Sequence, residues 1–148
     1  ALAGLRLLEC ARLHVKALMP DASSIRTMGK GSKERVIAIP PTLYRMLKDK
    51  GRRGGFIFQG RDKRDHITGR SLYEVVSKVA ALAGVSGVHP HRLRHFFATW
   101  TYAFTNDPFG TAHQMGHSNV KTTFGYSGLA QPFPGVSNMG ELMRWLTR

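Results

Sequence analysis

Two short β-prone runs on either side of a basic, glycine-containing loop restrict the fold more than any other feature. Residues 25–28 and 36–39 are rich in β-branched side chains, as strands usually are. The intervening Gly29-Lys30-Gly31-Ser32-Lys33 contains glycines that permit the positive φ of a tight reversal. The pattern predicts an antiparallel β-hairpin with a basic tip.

Helical periodicity dominates the remaining sequence. The clearest helix is predicted over residues 71–83, with Gly84 as its stop signal. One face of it carries apolar side chains: Leu72, Val75, Val76, Val79 and Ala83. Further helices are predicted over residues 5–18, after Pro40-Pro41-Thr42, and over 91–104 and 111–115, with a strand-like run at 56–58. The predicted fold class is α+β, mainly helical, with a small antiparallel sheet.

Length, cysteine content and charge limit the classes of protein. A chain of 148 residues predicts one domain, residues 1–148. Cys10 is the single cysteine, so one chain forms neither an internal disulfide nor a cysteine-based zinc finger. No apolar stretch reaches the length of a membrane span and no secretory signal is visible, which predicts a cytoplasmic, intracellular protein without a membrane partner. Lys and Arg number 22 against 9 acidic residues, and the net charge of +13 favours a polyanionic partner such as nucleic acid.

Histidines are concentrated between His89 and His117, and two interpretations compete. His91 and His95 have the i, i+4 spacing that can hold zinc, with His113 or His117 as a third ligand. However, no acidic residue lies between Glu74 and Asp107 to balance a metal, so we predict no metal site.

The other interpretation is an anion site. Arg92 and Arg94 offer bidentate forks for phosphate, and His91 and His117 supply further donors. Such groups stabilise the charge that develops on a phosphodiester during phosphoryl transfer.

Four motifs, in order along the chain, resemble the catalytic domain of the tyrosine recombinase (phage integrase) family. They cover almost all of the sequence up to Ser127. The motifs are Gly4-Leu5-Arg6 with Glu9 and Leu13, Gly29-Lys30-Gly31-Ser32-Lys33-Glu34-Arg35, His91-Arg92-Leu93-Arg94-His95 with Phe97-Ala98-Thr99, and Met115-Gly116-His117-Ser118 followed by Thr122-Thr123 and Tyr126.

The resemblance implies a site-specific DNA recombinase that cleaves and rejoins DNA without metal, nucleotide or other cofactor. Tyr126 would attack the scissile phosphate and form a 3′-phosphotyrosyl link, releasing a 5′-hydroxyl. Lys30 would be the general acid that protonates the leaving 5′-oxygen.

The remaining implied roles concern the phosphate. Arg6 and Arg94 would hold its non-bridging oxygens, and His117 would donate to it. His91 would assist and accept the tyrosine proton. Glu9 would support the site by holding its basic members.

The resemblance also implies partners. Double-stranded DNA is the expected partner and there is no small-molecule substrate. Lys33, Arg35 and Arg92 are the predicted DNA contacts, of the backbone-positioning kind for the first two. A homo-tetramer on paired DNA sites is expected, as in the family.

The sequence departs from the family pattern at both ends. The family's catalytic domain normally has further helices before the position of Arg6, and a separate amino-terminal core-binding domain. Both are absent here, so we expect an amino-terminally truncated catalytic domain. Residues 128–140 are predicted to be a loop, and 141–146 a short helix that docks on a neighbouring subunit or on its own domain.

Three alternatives stay open at this point. The first is a DNA-binding remnant or fragment of the same fold without turnover. The second is a type IB topoisomerase, which uses similar chemistry. The third is a metal-dependent hydrolase.

Overall fold

The computed structural model describes residues 3–20, 23–29, 34–52, 54–62 and 64–116. The predicted residues Lys30, Lys33, His117 and Tyr126, and the predicted loop and helix in 128–148, lie outside these ranges. The elements are α1 (Leu7–Ala11), a 3₁₀ helix (Val15–Ala17), β1 (Leu18–Met19), β2 (Ser24–Met28), β3 (Glu34–Ala38), α2 (Pro41–Lys50), α3 (Gly69–Leu82), α4 (Pro90–Thr105) and α5 (Pro108–Met115). The predicted fold class, α+β and mainly helical, is confirmed.

The three strands form one antiparallel sheet in the order β1-β2-β3. Ile25 pairs with Ile37 and Thr27 with Arg35, which confirms the predicted hairpin. Burial alternates along β3, as the pleat of a strand requires. Arg35 and Ile37 face the interior, whereas Val36 is exposed. A charged residue therefore occupies a position on the buried face of the sheet.

The predicted helix over residues 5–18 is wrong in extent. The structure has only the five residues of α1 there, then a 3₁₀ turn and β1. The backbone of residues 13–15 instead pairs with a later segment: Ile57 N donates to the carbonyl of Leu13 at 2.7 Å, and Val15 N to that of Gly55 at 2.9 Å. These long-range hydrogen bonds replace the helical ones, and Leu13 enters the core.

The run at 56–58 forms an isolated bridge, His14 with Phe56, rather than a strand of the sheet. Ile57 is nevertheless buried, so the apolar run contributes to the core. The prediction of a strand there is wrong because its partner, residues 13–15, is too short and curved into a 3₁₀ turn to continue the pairing.

The later helices agree with the predictions within a few residues, and their ends show why. Thr68 caps α3 by accepting a 3.1 Å hydrogen bond from Ser71 N. Asp107 caps α5 through a 2.8 Å hydrogen bond from Gly110 N. Both α4 and α5 begin with a proline, which is suited to the first turn. Among the described residues, no helix is long and apolar enough to cross a bilayer.

Two apolar clusters hold these elements together. The larger joins the sheet to α2 and to the segments around Leu13 and Ile57. The smaller packs α4 on α5 through Phe97, Ala98 and Met115. Gly4, with φ +59°, lies so close to Phe97 that a Cβ there would be 2.5 Å from its ring. The chain before α1 is thereby pressed against the α4–α5 pair.

Only part of the apolar face of α3 is covered. Leu72 and Ala80 are buried, and α3 packs on α1. Val75 and Val79 share the predicted face but are exposed, Val79 at 60%. The five-residue α1 is too short to cover the whole length of α3.

Candidate active site

Arg6 begins the site at the first turn of α1. Its backbone N–H donates to Glu9 Oε2 at 2.7 Å, and its Nη1 donates to Glu9 Oε1 at 2.8 Å. Glu9 is the third residue of the helix, where a carboxylate accepts the unpaired N–H of the cap residue. The Arg6 side chain stays 37% exposed, so it is held from one side and open to solvent on the other.

Arg35 reaches the same carboxylate from β3. Its Nη1 and Nη2 donate to Glu9 Oε1 at 3.0 Å and Oε2 at 2.8 Å, in the two-pronged geometry that suits a guanidinium. The side chains of Arg35 and Glu9 are only 7% and 9% exposed. Arg35 was predicted to contact DNA. In the structure its guanidinium instead faces the buried Glu9 carboxylate rather than solvent, which does not fit that prediction.

Glu9 is ionised by these contacts. Burial alone would raise the pKa of its carboxyl, but the hydrogen bonds from Arg35 and Arg6 outweigh that effect and lower the pKa below its usual value. Glu9 therefore stays negatively charged while it holds both arginines.

Arg94 is buried in α4 and joins two distant parts of the chain. Its Nη1 donates to the carbonyl of Gly4 and its Nη2 to that of Met115. Arg6 Nη2 donates to the next carbonyl, Gly116, at 2.6 Å. Both predicted phosphate-binding arginines thus hold the carboxyl end of α5, where the carbonyls carry partial negative charge. His117, the next residue, lies outside the described ranges.

His91 lies in the exposed first turn of α4 beside two aromatic rings that the sequence did not single out. Its ring is stacked at 6.5 Å with that of His89, which is stacked at 6.5 Å with Tyr73. His89 also accepts the N–H of Arg92 at 3.4 Å, as the cap of α4. A histidine just before Pro90 at the first helical position was the signal for this cap. Tyr73 had no comparable signal, since only the packing of α3 on α1 brings it here.

An open cleft of about 570 Å³ collects these side chains. Its wall includes Arg6, Leu7, Leu8, Glu9, Tyr73, His89, Pro90, His91 and Arg94. The structure therefore brings together three of the six predicted catalytic residues, Arg6, His91 and Arg94, with Glu9 beside them. Arg92 lies on the exposed side of α4, where its Nη1 donates to the Gly87 carbonyl at 3.2 Å.

Arg6, Arg94 and His91 line one cleft, and the Glu9 carboxylate beside Arg6 is also paired with Arg35, so this arrangement can attract an anion such as a phosphodiester. In the described part of the chain, no group of three His, Cys, Asp or Glu side chains could hold a metal ion. The fold and the cleft together define the class of this protein: an α+β domain with a basic, histidine-containing cleft.

The family is then defined by comparison with known proteins. The model of the phage integrase family matches residues 1–131. The chain belongs to this family, the tyrosine recombinases.

Similar proteins are recombinases. The tyrosine recombinase XerC of Shewanella amazonensis is 36% identical over 135 residues, covering 85% of this chain and 45% of XerC. The crystal structure of XerA recombinase superimposes with a TM-score of 0.77 at 22% identity, over 99% of this chain and 54% of XerA. That of XerH bound to its difH substrate gives 0.71 at 25% identity, over 85% of this chain and 39% of XerH. The chain therefore spans about half the length of the relatives it matches, or less.

Proposed function

We propose that the protein is a site-specific DNA recombinase that cleaves and rejoins DNA through a 3′-phosphotyrosyl intermediate. The observation that carries the proposal is the joint anchoring of Arg6 and Arg94 on the consecutive carbonyls of Met115 and Gly116, beside His91. Three of the predicted catalytic residues, from two distant parts of the sequence, thus converge on one cleft in a chain of the tyrosine recombinase family.

Phosphate binding falls to the arginines. Arg6 and Arg94 hold the non-bridging oxygens of the scissile phosphate. Arg6 is partly exposed and is aligned by Glu9, and Arg94 is fixed in α4 by its backbone contacts. Their charge stabilises the negative charge that builds up on these oxygens in the transition state. His91 accepts the proton of the attacking tyrosine, and His117 donates to the phosphate.

The covalent step is assigned to Tyr126 and Lys30. The Tyr126 oxygen forms a bond to phosphorus as the bond from phosphorus to the 5′-oxygen breaks, and Lys30 protonates that oxygen. The new phosphotyrosyl ester keeps the energy of the original diester, so rejoining by the 5′-hydroxyl needs no nucleotide. The proposed step uses no metal ion or other cofactor.

Double-stranded DNA is the proposed partner. The net charge of +13 favours it, and the solved XerH structure contains its difH substrate. Lys33 and the exposed Arg92 are proposed contacts to DNA. We also propose a homo-tetramer on paired DNA sites, in which residues 141–146 would dock either on a neighbouring subunit or on their own domain.

The alternative is a DNA-binding module of the same fold without turnover. One experiment separates the two. The protein is mixed with double-stranded DNA in the presence of a chelator, the reaction is stopped with detergent, and covalently attached protein is measured beside Tyr126→Phe. An adduct from the wild type alone supports the recombinase. Equal, tight DNA binding by both proteins without any adduct favours the binding module.

A further inference from the structure

Arg35 and Arg6 share one carboxylate from opposite elements. Glu9 Oε1 accepts from Nη1 of both arginines, and Oε2 accepts from Arg35 Nη2 and from the backbone N–H of Arg6. All four contacts are 3.0 Å or shorter. The carboxylate is thereby fixed in position by β3 on one side while it orients α1 and Arg6 on the other.

The charges in this triad have a consequence for anion binding. Two guanidinium groups and one carboxylate leave one net positive charge. Without Arg35, Glu9 and Arg6 alone would form a neutral pair. Because the side chains of Glu9 and Arg35 are largely shielded from water, this difference in charge has a larger effect there than it would between fully exposed groups. Arg35 thus satisfies Glu9, and the charge of Arg6 remains available to a ligand.

A second contact joins Arg35 to Gly116, on the side of Arg6 that faces away from the cleft. Its guanidinium packs on Gly116 so closely that a Cβ there would be 2.6 Å from Nη1. The carbonyl of Gly116 is the one that accepts from Arg6 Nη2. Arg35 therefore touches both groups that hold Arg6, although it does not itself line the cleft.

We propose that Arg35 is a positioning residue that neutralises Glu9 and keeps the Arg6 guanidinium aimed and charged for the scissile phosphate. This inference rests on the proposed function, in which Arg6 binds that phosphate. Arg35 contributes from the buried face of the β2–β3 hairpin without touching DNA.

The test measures single-turnover adduct formation at saturating DNA, at a temperature where circular dichroism shows each variant folded. Arg35→Met should slow the reaction about 10- to 100-fold, the range typical of losing a group that orients a functional side chain. The double variant Glu9→Gln/Arg35→Met restores one net positive charge at Arg6 and should recover much of this loss. Arg35→Lys keeps the charge and should stay within about tenfold of the wild type.

Arg26→Met is the matched control. Arg26 lies on the neighbouring strand of the same hairpin, 54% exposed, in a surface pair with Glu34. Its removal lowers the net charge by the same amount, and the rate should change less than about twofold because exposed pairs are weak. A loss confined to Arg35→Met thus separates positioning from general attraction to DNA.

Other results would overturn the inference in distinct ways. A wild type that forms no adduct rejects the proposed function and this inference with it. A folded Arg35→Met at wild-type rate rejects only the inference, as does a double variant no faster than Arg35→Met. If Arg35→Met does not fold, the test uses Arg35→Lys. A folded Arg35→Lys protein that forms adduct no faster than the uncatalysed background rejects the inference. Recovery of Arg35→Met on DNA with sulfur as the bridging 5′ atom, a leaving group that needs no general acid, would show that Arg35 acts through Lys30 instead.

Discussion

Arg6 Nη2 donates a 2.6 Å hydrogen bond to the backbone carbonyl of Gly116, 110 residues further along the chain. The contact joins the first turn of α1 to the end of α5, and Arg94 adds a parallel link from Met115 to Gly4. The candidate active site therefore also connects the two ends of the described domain through hydrogen bonds. Substitutions there should change both the stability of the protein and its proposed DNA cleavage.

Gly116→Ala should destabilise the protein more than Gly84→Ala. Both glycines have positive φ, +63° and +70°, which costs an alanine about 1–2 kcal/mol. Only at Gly116 would the new Cβ also meet a guanidinium, that of Arg35 at 2.6 Å, whereas nothing lies within 4 Å at Gly84. Urea unfolding of the two variants measures the difference. Equal losses would contradict the close approach of Arg35.

Arg94→Lys should lower the free energy of unfolding by about 1–3 kcal/mol, the cost of leaving a buried polar group without its partner. A lysine has one nitrogen and cannot reach both carbonyls, those of Gly4 and Met115, with the geometry of a guanidinium. Arg92→Lys, on the exposed side of the same helix, is the control and should change stability by less than about 0.5 kcal/mol. Thermal or urea unfolding gives both values.

Acid should remove the stabilisation that Glu9 provides. Because its pKa is lower in the folded than in the unfolded protein, the contribution is complete above the ordinary value of 4.5 and is lost as pH falls through the folded pKa. Unfolding free energies of the wild type and Glu9→Gln, measured from pH 7 to pH 3, should therefore converge at low pH. A difference that stays constant with pH would mean that the Glu9 carboxylate is not stabilised by its arginines.

Ile37→Ala should cost about 2–5 kcal/mol of unfolding free energy, because Ile37 is fully buried in the larger cluster and its truncation leaves a cavity. Val36→Ala, on the exposed face of the same strand, should cost less than about 1 kcal/mol. Chemical denaturation of both variants is the measurement. Similar losses for the two would contradict the orientation of β3.

Local signals explain the elements that were predicted. The hairpin followed from β-branched runs around glycines, and α3 from helical spacing that ends at Gly84. The prediction of α4 followed from the lack of a helix breaker between Pro90 and Asn106. The motifs around Arg6, His91 and Arg94 also indicated which residues would share a site, although Lys30, His117 and Tyr126 remain predictions.

Long-range contacts decided what the sequence could not. Spacing alone assigned residues 5–18 to a helix, but backbone pairing with Gly55 and Ile57 ended it early. Arg35 had the appearance of a solvent-exposed DNA contact, because a basic residue in a basic hairpin carries no mark of the face it occupies. The alternation of side chains along β3 places Arg35 on the buried face of the sheet, where it forms an ion pair with Glu9 of α1. By itself, the sequence determined the short-range elements and the residue types of the site. Only tertiary packing determined which charges are buried together, since that depends on which elements meet.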